Sequence, residues 1–243
     1  MITEPAALEI KPIGVIHSCF KEKFGIPRQP GLVAGARGSL ELFSPYNDIT
    51  MVSALETFSH IWIIFLFHGN EPGKWGRMVR PPRLGGNRRV GVFASRSGFR
   101  PNPVGISAVQ LESIEQAKGT TFLHLKGIDL LDQTPVIDIK PYVPYSDRIV
   151  EAVDGYADQP EREKLSVSFT AEADAVCQTL EAVKHPALKR LIKEIVGNDP
   201  RPGYYALKKN ESEFGMVLFD LNIRFQVTGH QAVIFAIEKN NDE

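Results

Sequence analysis

Short apolar segments dominate the first 150 residues, and their spacing suits strands and excludes most helices. IWIIFLFH (61–68) is a continuous apolar run too short for a typical helix, so it predicts a strand covered on both faces. Only NDITMVSALETF (47–58) has near-helical spacing, with Asn47 or Asp48 as its cap. Segments rich in β-branched and aromatic residues predict further strands at 8–18, 38–43, 89–95, 104–115, 120–131 and 136–142. Six or seven strands with one short helix predict a β-barrel or a β-sandwich.

The composition changes near residue 145, where the polar and acidic stretch 146–164 begins. We therefore predict a β domain over 1–150, a linker over 151–164 and a C-terminal domain over 165–243. In the last part, a strand (165–170) precedes helical patterns at 171–184 and 186–199, and a hairpin about Gly229 joins strands 215–229 and 231–239. The prediction is a mainly β protein with a smaller C-terminal α+β domain.

A second feature is an acid-free basic stretch between Pro72 and Leu111. It contains eight bases, which are Lys74, Arg77, Arg80, Arg83, Arg88, Arg89, Arg96 and Arg100. The formal net charge of the whole chain is only −1, so this is a local feature. Such a stretch favours a polyanion or a phosphate-bearing ligand, the alternative being a solvated basic face.

Three loops combine proline, glycine and arginine: PRQPG (27–31), RPPRLGGN (80–87) and RPNPVG (100–105). Proline fixes φ, glycine admits close approach of a ligand to the backbone, and the guanidinium can bond an anion through two parallel hydrogen bonds. A loop that is rigid before binding loses less conformational freedom when the ligand arrives. The loops therefore predict an anion site, the alternative being ordinary turns of a barrel.

Several classes of function find no support in the sequence. There is no Gly-x-Gly-x-x-Gly opening a helix, no Walker loop and no His-Glu-x-x-His, and the six histidines lack metal-ligand spacing. Two cysteines, Cys19 and Cys177, are too few for a disulfide framework. The first residues lack the apolar region of a signal peptide, and the run at 61–67 is too short to span a bilayer. We expect a cytoplasmic protein with no metal and no membrane partner.

The segment VIDIKPY (136–142) aligns three chemically useful side chains. Because alternate residues of a strand share a face, Asp138, Lys140 and Tyr142 lie opposite Ile137 and Ile139. A carboxylate, an ammonium and a phenol in one row can hold a polar substrate or assist proton transfer. The same pattern also fits a surface salt bridge beside a solvated tyrosine.

Seven motifs in order resemble the TrmO/TsaA-like family over nearly the whole chain. They are PRQPGL (27–32), FSHIWIIFLFH (58–68), VRPPRLGGN (79–87), GVFASRS (91–97), FRPNPVG (99–105), LHLKGIDLLDQTPVIDIKPY (123–142) and DPRPGY (199–204). The resemblance implies a homodimeric, S-adenosylmethionine-dependent tRNA methyltransferase built on a β-barrel. The implied reaction is N6-methylation of N6-threonylcarbamoyladenosine at position 37 of tRNA-Thr.

The resemblance also implies which residues of this chain contact the cofactor. They are Pro27, Arg28, Gln29, His68, Gly69, Arg96, Ile106, Lys126, Gly127, Ile128 and Asp129. Several of these contacts are expected through backbone groups, which can recognise adenine in the KGID turn (126–129). The tRNA phosphates and the threonyl carboxylate are expected to contact the basic loops at Arg80, Arg83, Asn87 and Arg100.

The implied reaction removes a proton from the acceptor nitrogen, which the carbamoyl group makes more acidic. We predict Asp138 as the group that accepts this proton, with Lys140 and Tyr142 orienting the substrate and the base. Two other functions remain open, a non-catalytic β-barrel RNA-binding module and a methyltransferase that acts on a small molecule. The DPRPGY turn either helps to recognise tRNA or only ends a helix.

Overall fold

The computed structural model describes residues 8–71, 73–158, 164–202 and 212–240, and its first half is a closed β-barrel. The described strands of this half are β1 (Gly14–Ser18), β2 (Arg37–Leu42), β3 (His60–Leu66), β4 (Met78–Val79), β5 (Val90–Gly91), β6 (Val104–Ala117), β7 (Thr120–Lys126) and β8 (Pro135–Pro141). Six of these described strands close the barrel in the order β1-β2-β7-β6-β3-β8, and every neighbouring pair is antiparallel. The predicted barrel is confirmed.

Strand β3 has one buried face and one face that remains partly exposed. Ile61, Ile63 and Phe65 point into the barrel core, whereas Trp62 and Ile64 on the other face are only half-buried. The prediction that this strand is covered on both faces is therefore wrong. In a closed barrel one face of every strand looks inward, so the outer face needs another element to cover it.

Two predicted elements of the barrel half differ in the structure. Asp48 does cap its segment, since its carboxylate accepts a hydrogen bond from the Thr50 amide at 2.8 Å. Residues 47–58 form two 3₁₀ turns, Ile49–Val52 and Leu55–Thr57, because Ala54 adopts a left-handed φ of 67° that no α-helix accommodates. The predicted strand 89–95 is only β5, which pairs with β4 outside the barrel.

The second half is a four-stranded sheet with helices, which confirms the predicted α+β class. A short helix, α1 (Pro144–Asp147), ends the first half, where Asp147 accepts a hydrogen bond from the Trp62 ring on β3. The described elements of the second half are β9 (Ser166–Phe169), α2 (Ala171–Val183), α3 (Leu188–Gly197), β10 (Ser212–Leu218), β11 (Leu221–Thr228) and β12 (Gln231–Lys239). The order among these described strands is β10-β11-β12-β9, with β9 parallel to β12. The hairpin about Gly229 is present between β11 and β12.

Two boundaries in this half also differ from the predictions. The single strand expected over 215–229 is divided into β10 and β11 by a turn in which Phe219 has a φ of 57°. Helix α3 begins at Leu188 instead of Pro186, because Ala187 before it is left-handed. Gly197 is the last helical residue, and Asn198 is the C-terminal cap. The backbone N–H of Asn198 donates to the last carbonyls of the helix.

The barrel and the C-terminal sheet share one hydrophobic core. Phe20 forms a β-bridge with Leu218, and the Phe219 amide donates to the Cys19 carbonyl at 2.8 Å. The Val217 amide donates to the Glu22 carboxylate at 2.8 Å. The C-terminal half therefore packs directly against the chain that leaves β1. Over the residues that the structure describes, no helix is both long enough and apolar enough to cross a membrane.

Candidate active site

A cavity of about 340 Å³ lies where β3 ends and β6 begins. Its walls come from separate parts of the chain, which are Lys23, residues 26–29, 65–70, 96–100, 104–107 and 129–131, and Thr134. This volume lies within the range of about 300–1,000 Å³ that is usual for pockets that hold small molecules. Loops far apart in sequence meet here because strand order in the barrel differs from chain order.

Most of the residues predicted to contact a cofactor line this cavity. They are Pro27, Arg28, Gln29, His68, Gly69, Arg96, Ile106 and Asp129. Arg100, predicted as a substrate contact, also lines it. The structure thus brings the PRQ, ASRS and RPNPVG motifs together around one space.

Lys126, Gly127 and Ile128 are not brought to the cavity wall. The Gly127 amide donates to the Ala36 carbonyl at 2.7 Å, and its carbonyl accepts from the Gly31 amide at 2.8 Å. Ile128 is fully buried in the barrel core. The Gly127 backbone, which was expected to recognise adenine, therefore supports the loop that begins at Pro27.

Asp129 is the only carboxylate among the described residues that line the cavity. Its Oδ1 is shut off from solvent and has no hydrogen-bond partner in the described part of the chain. Burial raises the pKa of Asp129 to about 6, against smaller lowering effects of Ser107 and Arg96. A buried carboxylate is costly unless a donor or a cation meets it, so this group favours a ligand that brings one.

Four cationic side chains line the same cavity, Lys23, Arg28, Arg96 and Arg100, and the charge of Arg96 acts on the Asp129 carboxyl. Arg96 donates to the Gln29 side chain and so joins the ASRS and PRQ motifs. Arg100 donates to the Ser95 carbonyl at 3.2 Å and thereby closes its own loop. Partial burial lowers the pKa of His68, and the nearby Lys23 ammonium lowers it further. A hydrogen bond with the main chain of Asp132 acts in the opposite direction. The cavity therefore pairs one acid with several permanent positive charges.

Lys23, Phe99 and Ser107 line the cavity but were not identified from the sequence. The Lys23 ammonium donates to the Asn70 side chain at 2.9 Å and lies 5.9 Å from the centre of the Phe99 ring. Ser107 is buried on β6. Nothing in the spacing of these residues distinguishes them, although Phe99 belongs to the FRPNPVG motif.

The predicted row of Asp138, Lys140 and Tyr142 lies on the outer face of the barrel and does not line the cavity. Asp138 forms a 3.0 Å ion pair with Lys140 and accepts from the Ile139 amide at 2.9 Å. The Tyr142 ring packs against Trp62, with centroids 5.4 Å apart. This is the surface salt bridge beside a tyrosine that the sequence had left open.

The same outer face nevertheless continues to the cavity. Ile64 pairs with Asp138 on one side and with Ile106, which lines the cavity, on the other. Two strand spacings separate Asp138 from Ile106, which is about 10 Å. A substrate larger than the cavity can therefore reach both.

The predicted substrate residues Arg80, Arg83 and Asn87 are exposed on the basic segment outside the cavity. Arg83 donates to the Ala157 carbonyl at 2.6 Å, and the Tyr156 hydroxyl donates to the Ala94 carbonyl at 2.8 Å. Residues 155–158 therefore pack against the basic segment. No cluster of three metal-ligating side chains occurs within the described ranges.

Two known family models match this chain, and their boundaries nearly coincide with the two halves of the fold. The model of the tRNA-methyltransferase O (TrmO) N-terminal domain matches residues 15–148, and that of the TrmO C-terminal domain matches residues 162–240. The chain belongs to the TrmO family. The family predicted from the motifs is confirmed, and the enzyme class is that of S-adenosylmethionine-dependent tRNA methyltransferases.

Individual TrmO relatives match over nearly their full length. The chain is 46% identical over 233 residues to the tRNA (adenine(37)-N6)-methyltransferase of Escherichia coli K12, which covers 96% of this chain and 99% of that protein. It is 44% identical to a putative S-adenosylmethionine-dependent methyltransferase, RcsF, of Pseudomonas aeruginosa, over 89% of this chain and 91% of the relative. A crystal structure of TrmO from Pseudomonas aeruginosa superposes with a TM-score of 0.78 at 35% identity, covering 96% and 99% of the two chains.

The cavity fits the cofactor of this TrmO-family enzyme. S-adenosylmethionine carries a carboxylate, which suits the guanidinium groups, and two cationic centres, which suit the Asp129 carboxylate in the cavity wall. Aromatic side chains at Phe65, Phe67 and Phe99 offer flat apolar walls for a base. The donor set of the cavity therefore matches both charges and the apolar part of the molecule.

Proposed function

We propose that this TrmO-family enzyme methylates N6 of N6-threonylcarbamoyladenosine at position 37 of tRNA-Thr. The observation that carries the proposal is the cation-rich cavity with a single carboxylate among its described lining residues. Relatives named tRNA (adenine(37)-N6)-methyltransferase support the position and the atom that is methylated. The threonylcarbamoyl group adds a carboxylate to the substrate, which the basic loops can bind.

The cofactor binds, in this proposal, between the PRQ loop and the loop that contains Arg96 and Arg100. S-adenosylmethionine supplies an electrophilic methyl group on a sulfonium when it is bound. The described side chains of Arg28 and Arg96 hold its carboxylate, and Asp129 meets one of its cationic centres or the acceptor nitrogen. The chain thereby aligns donor and acceptor, and alignment can supply a large part of the acceleration in a displacement reaction.

The tRNA contacts the basic segment that borders the cavity. Arg80, Arg83 and Asn87 are exposed there and can bind phosphates of the anticodon stem-loop. Arg100 lies closer to the cavity, where it can meet the threonyl carboxylate. This arrangement predicts binding that weakens steeply as salt concentration rises.

Two carboxylates are candidates for the group that takes the proton from N6. The sequence-based candidate is Asp138, with Lys140 and Tyr142 to orient it, and its outer face adjoins the cavity through Ile106. Asp129 is the second, and its place in the cavity wall and its pKa of about 6 favour it. A pKa near the working pH suits a general base, and Asp138 is already bonded to Lys140.

The exposed apolar side chains support the proposed homodimer. Phe93 is 79% exposed, Tyr145 is 93% exposed and Val153 is 91% exposed. The Tyr156–Ala94 hydrogen bond brings the segment that contains Val153 near Phe93, and the outer face of β3 is only half-covered. Exposed apolar patches commonly mark association surfaces. We also propose a cytoplasmic location, where tRNA is modified.

The decisive experiment is mass spectrometry of tRNA nucleosides from cells with and without the gene. The proposal expects N6-methylated threonylcarbamoyladenosine to disappear from tRNA-Thr in the deletion strain and to return with a plasmid copy. An unchanged nucleoside profile would exclude this substrate. Calorimetry with S-adenosylmethionine separates an enzyme from a non-catalytic RNA-binding module. Failure of tRNA to bind at low salt would favour a small-molecule acceptor.

A further inference from the structure

The DPRPGY motif has no part in the proposed chemistry, yet its first residues contact the cavity wall. Gly203 and Tyr204 lie outside the described residues, and we call residues 198–202 the C-terminal turn. The Arg28 Nη2 donates to the carbonyls of Asp199 and Arg201, at 3.2 Å and 2.9 Å. Arg28 lines the cavity, and the C-terminal turn does not.

Two further hydrogen bonds join the same parts of the molecule. The Asn198 side chain donates to the Leu32 carbonyl at 3.1 Å. The Gly35 amide donates to the Glu194 carboxylate, on α3, at 2.7 Å. The chain from Arg28 to Gly35 is thus held along its length by the end of α3 and the turn that follows.

The C-terminal turn is itself made rigid by a buried ion pair. The Arg201 Nε lies 2.6 Å from Asp199 Oδ1, and its Nη2 lies 3.0 Å from Asp199 Oδ2. Both side chains are more than nine-tenths buried. A bidentate pair of this kind fixes the planes of both groups, and here it also fixes the direction of the two carbonyls that face Arg28.

The support continues from Arg28 to the opposite wall of the cavity. The Gln29 side chain donates to the Arg28 carbonyl at 2.6 Å and accepts from Arg96 on the other loop. Displacing Arg28 therefore disturbs Gln29 and Arg96 as well. A binding site that is held in shape before its ligand arrives binds more tightly than one that must be ordered on binding.

We propose that the C-terminal turn is a positioning element for the cofactor pocket, in which Asp199 and Arg201 act through Arg28. The proposal rests on the proposed binding of S-adenosylmethionine in this cavity. It gives the C-terminal domain a role in cofactor affinity. The test must separate this role from two alternatives. In one, these residues only end helix α3, and in the other they contact tRNA directly.

The test uses the full-length chain with Asp199→Asn and Arg201→Gln combined, so that no buried charge is left alone. Calorimetry should show a Kd for S-adenosylmethionine about tenfold higher, because the loop must then be ordered on binding. The KM for the cofactor should rise in parallel, while kcat at saturating cofactor and the KM for tRNA stay within about twofold. The single variant Arg201→Lys keeps Asp199 and both charges, and it should bind S-adenosylmethionine more tightly than the double variant does.

Three further substitutions keep the test decisive. Asp220→Asn breaks the ion pair of Lys184 with Asp220 elsewhere in the C-terminal half, and it should leave the cofactor Kd unchanged. Should the double variant fail to fold, Asn198→Ala removes only the side-chain hydrogen bonds to the Leu32 and Glu194 carbonyls and keeps the backbone cap of α3, and a Kd rise of about twofold is expected. Adding the double variant to Arg28→Ala should change the Kd little further, since both act through the same contact.

The outcomes separate this inference from the function on which it rests. A lower melting temperature with an unchanged cofactor Kd would make the turn purely structural. A rise in the KM for tRNA alone would make it a tRNA contact. Either result overturns the proposal. If the wild-type chain fails to bind S-adenosylmethionine, it is the proposed cofactor site that is wrong.

Discussion

Asp129 and Asp138 are carboxylates nine residues apart, yet their surroundings give them opposite properties. Asp129 lies in the cavity wall with one buried, unpartnered oxygen and a pKa raised to about 6. Asp138 lies on the outer face of β8, where it is about half exposed and paired with Lys140. The difference teaches that the environment of a carboxylate, more than its place in a motif, decides whether it faces a ligand or forms a surface ion pair.

The largest expected effect separates the two carboxylates directly. At saturating S-adenosylmethionine, Asp129→Asn should lower the single-turnover methylation rate by about 10²-fold, a usual effect of removing a general base. Asp138→Asn should lower it by less than about threefold, and calorimetry with each variant must confirm that the cofactor is bound. The reverse order of the two rates would assign the proton to Asp138.

Stability should change in the opposite direction from activity. A raised pKa means that the folded state binds more protons than the unfolded state between about pH 4 and 6, so stability falls as pH rises through that window. Asp129→Asn should therefore raise the free energy of unfolding at pH 8 by about 3 kcal/mol, a gain that shrinks below pH 6. Urea titrations at pH 5 and 8 measure this.

The pH profile of the reaction offers a finer comparison. If Asp129 takes the proton, the wild-type single-turnover rate should fall about tenfold per pH unit on the acid side of a pKa at or below about 6. The cationic cofactor can only lower that pKa further. The acid limb should persist in Asp138→Asn and disappear in Asp129→Asn. Persistence in Asp129→Asn would point to another titrating group, of which His68 is the nearest candidate in the cavity wall.

The smallest effect concerns charges that touch neither carboxylate. Arg80→Ala should reduce the slope of log affinity for tRNA against log salt by about one unit, because one phosphate contact is lost. Its cofactor Kd should not change, since Arg80 lies outside the cavity. Lys184→Ala, on the C-terminal half, serves as the matched control and should leave the slope as it was. An unchanged slope in Arg80→Ala would remove that residue from the tRNA surface.

Local sequence patterns predicted where the secondary-structure elements lie better than they predicted what surrounds each element. Alternation correctly placed Asp138 and Lys140 on one face of β8, and the cap at Asp48 follows from a short polar side chain before a turn. The pattern could not tell whether that face meets the cavity, because this depends on which strands flank β8. The helix predicted over 47–58 was wrong because Ala54 is left-handed, and an alanine gives no sign of such a conformation in the sequence.

By itself the sequence determined the mainly β class and, through its motifs, the family, and most of the cofactor contacts that it predicted do line the cavity. Those features are local or carried by contiguous motifs, so they are legible along the chain. The tertiary structure alone decided that Asp129 is the buried acid, that Asp138 is outside, and that a turn near residue 200 supports Arg28. These depend on contacts between segments up to 173 residues apart, which only the closed barrel and its packing against the second sheet bring together.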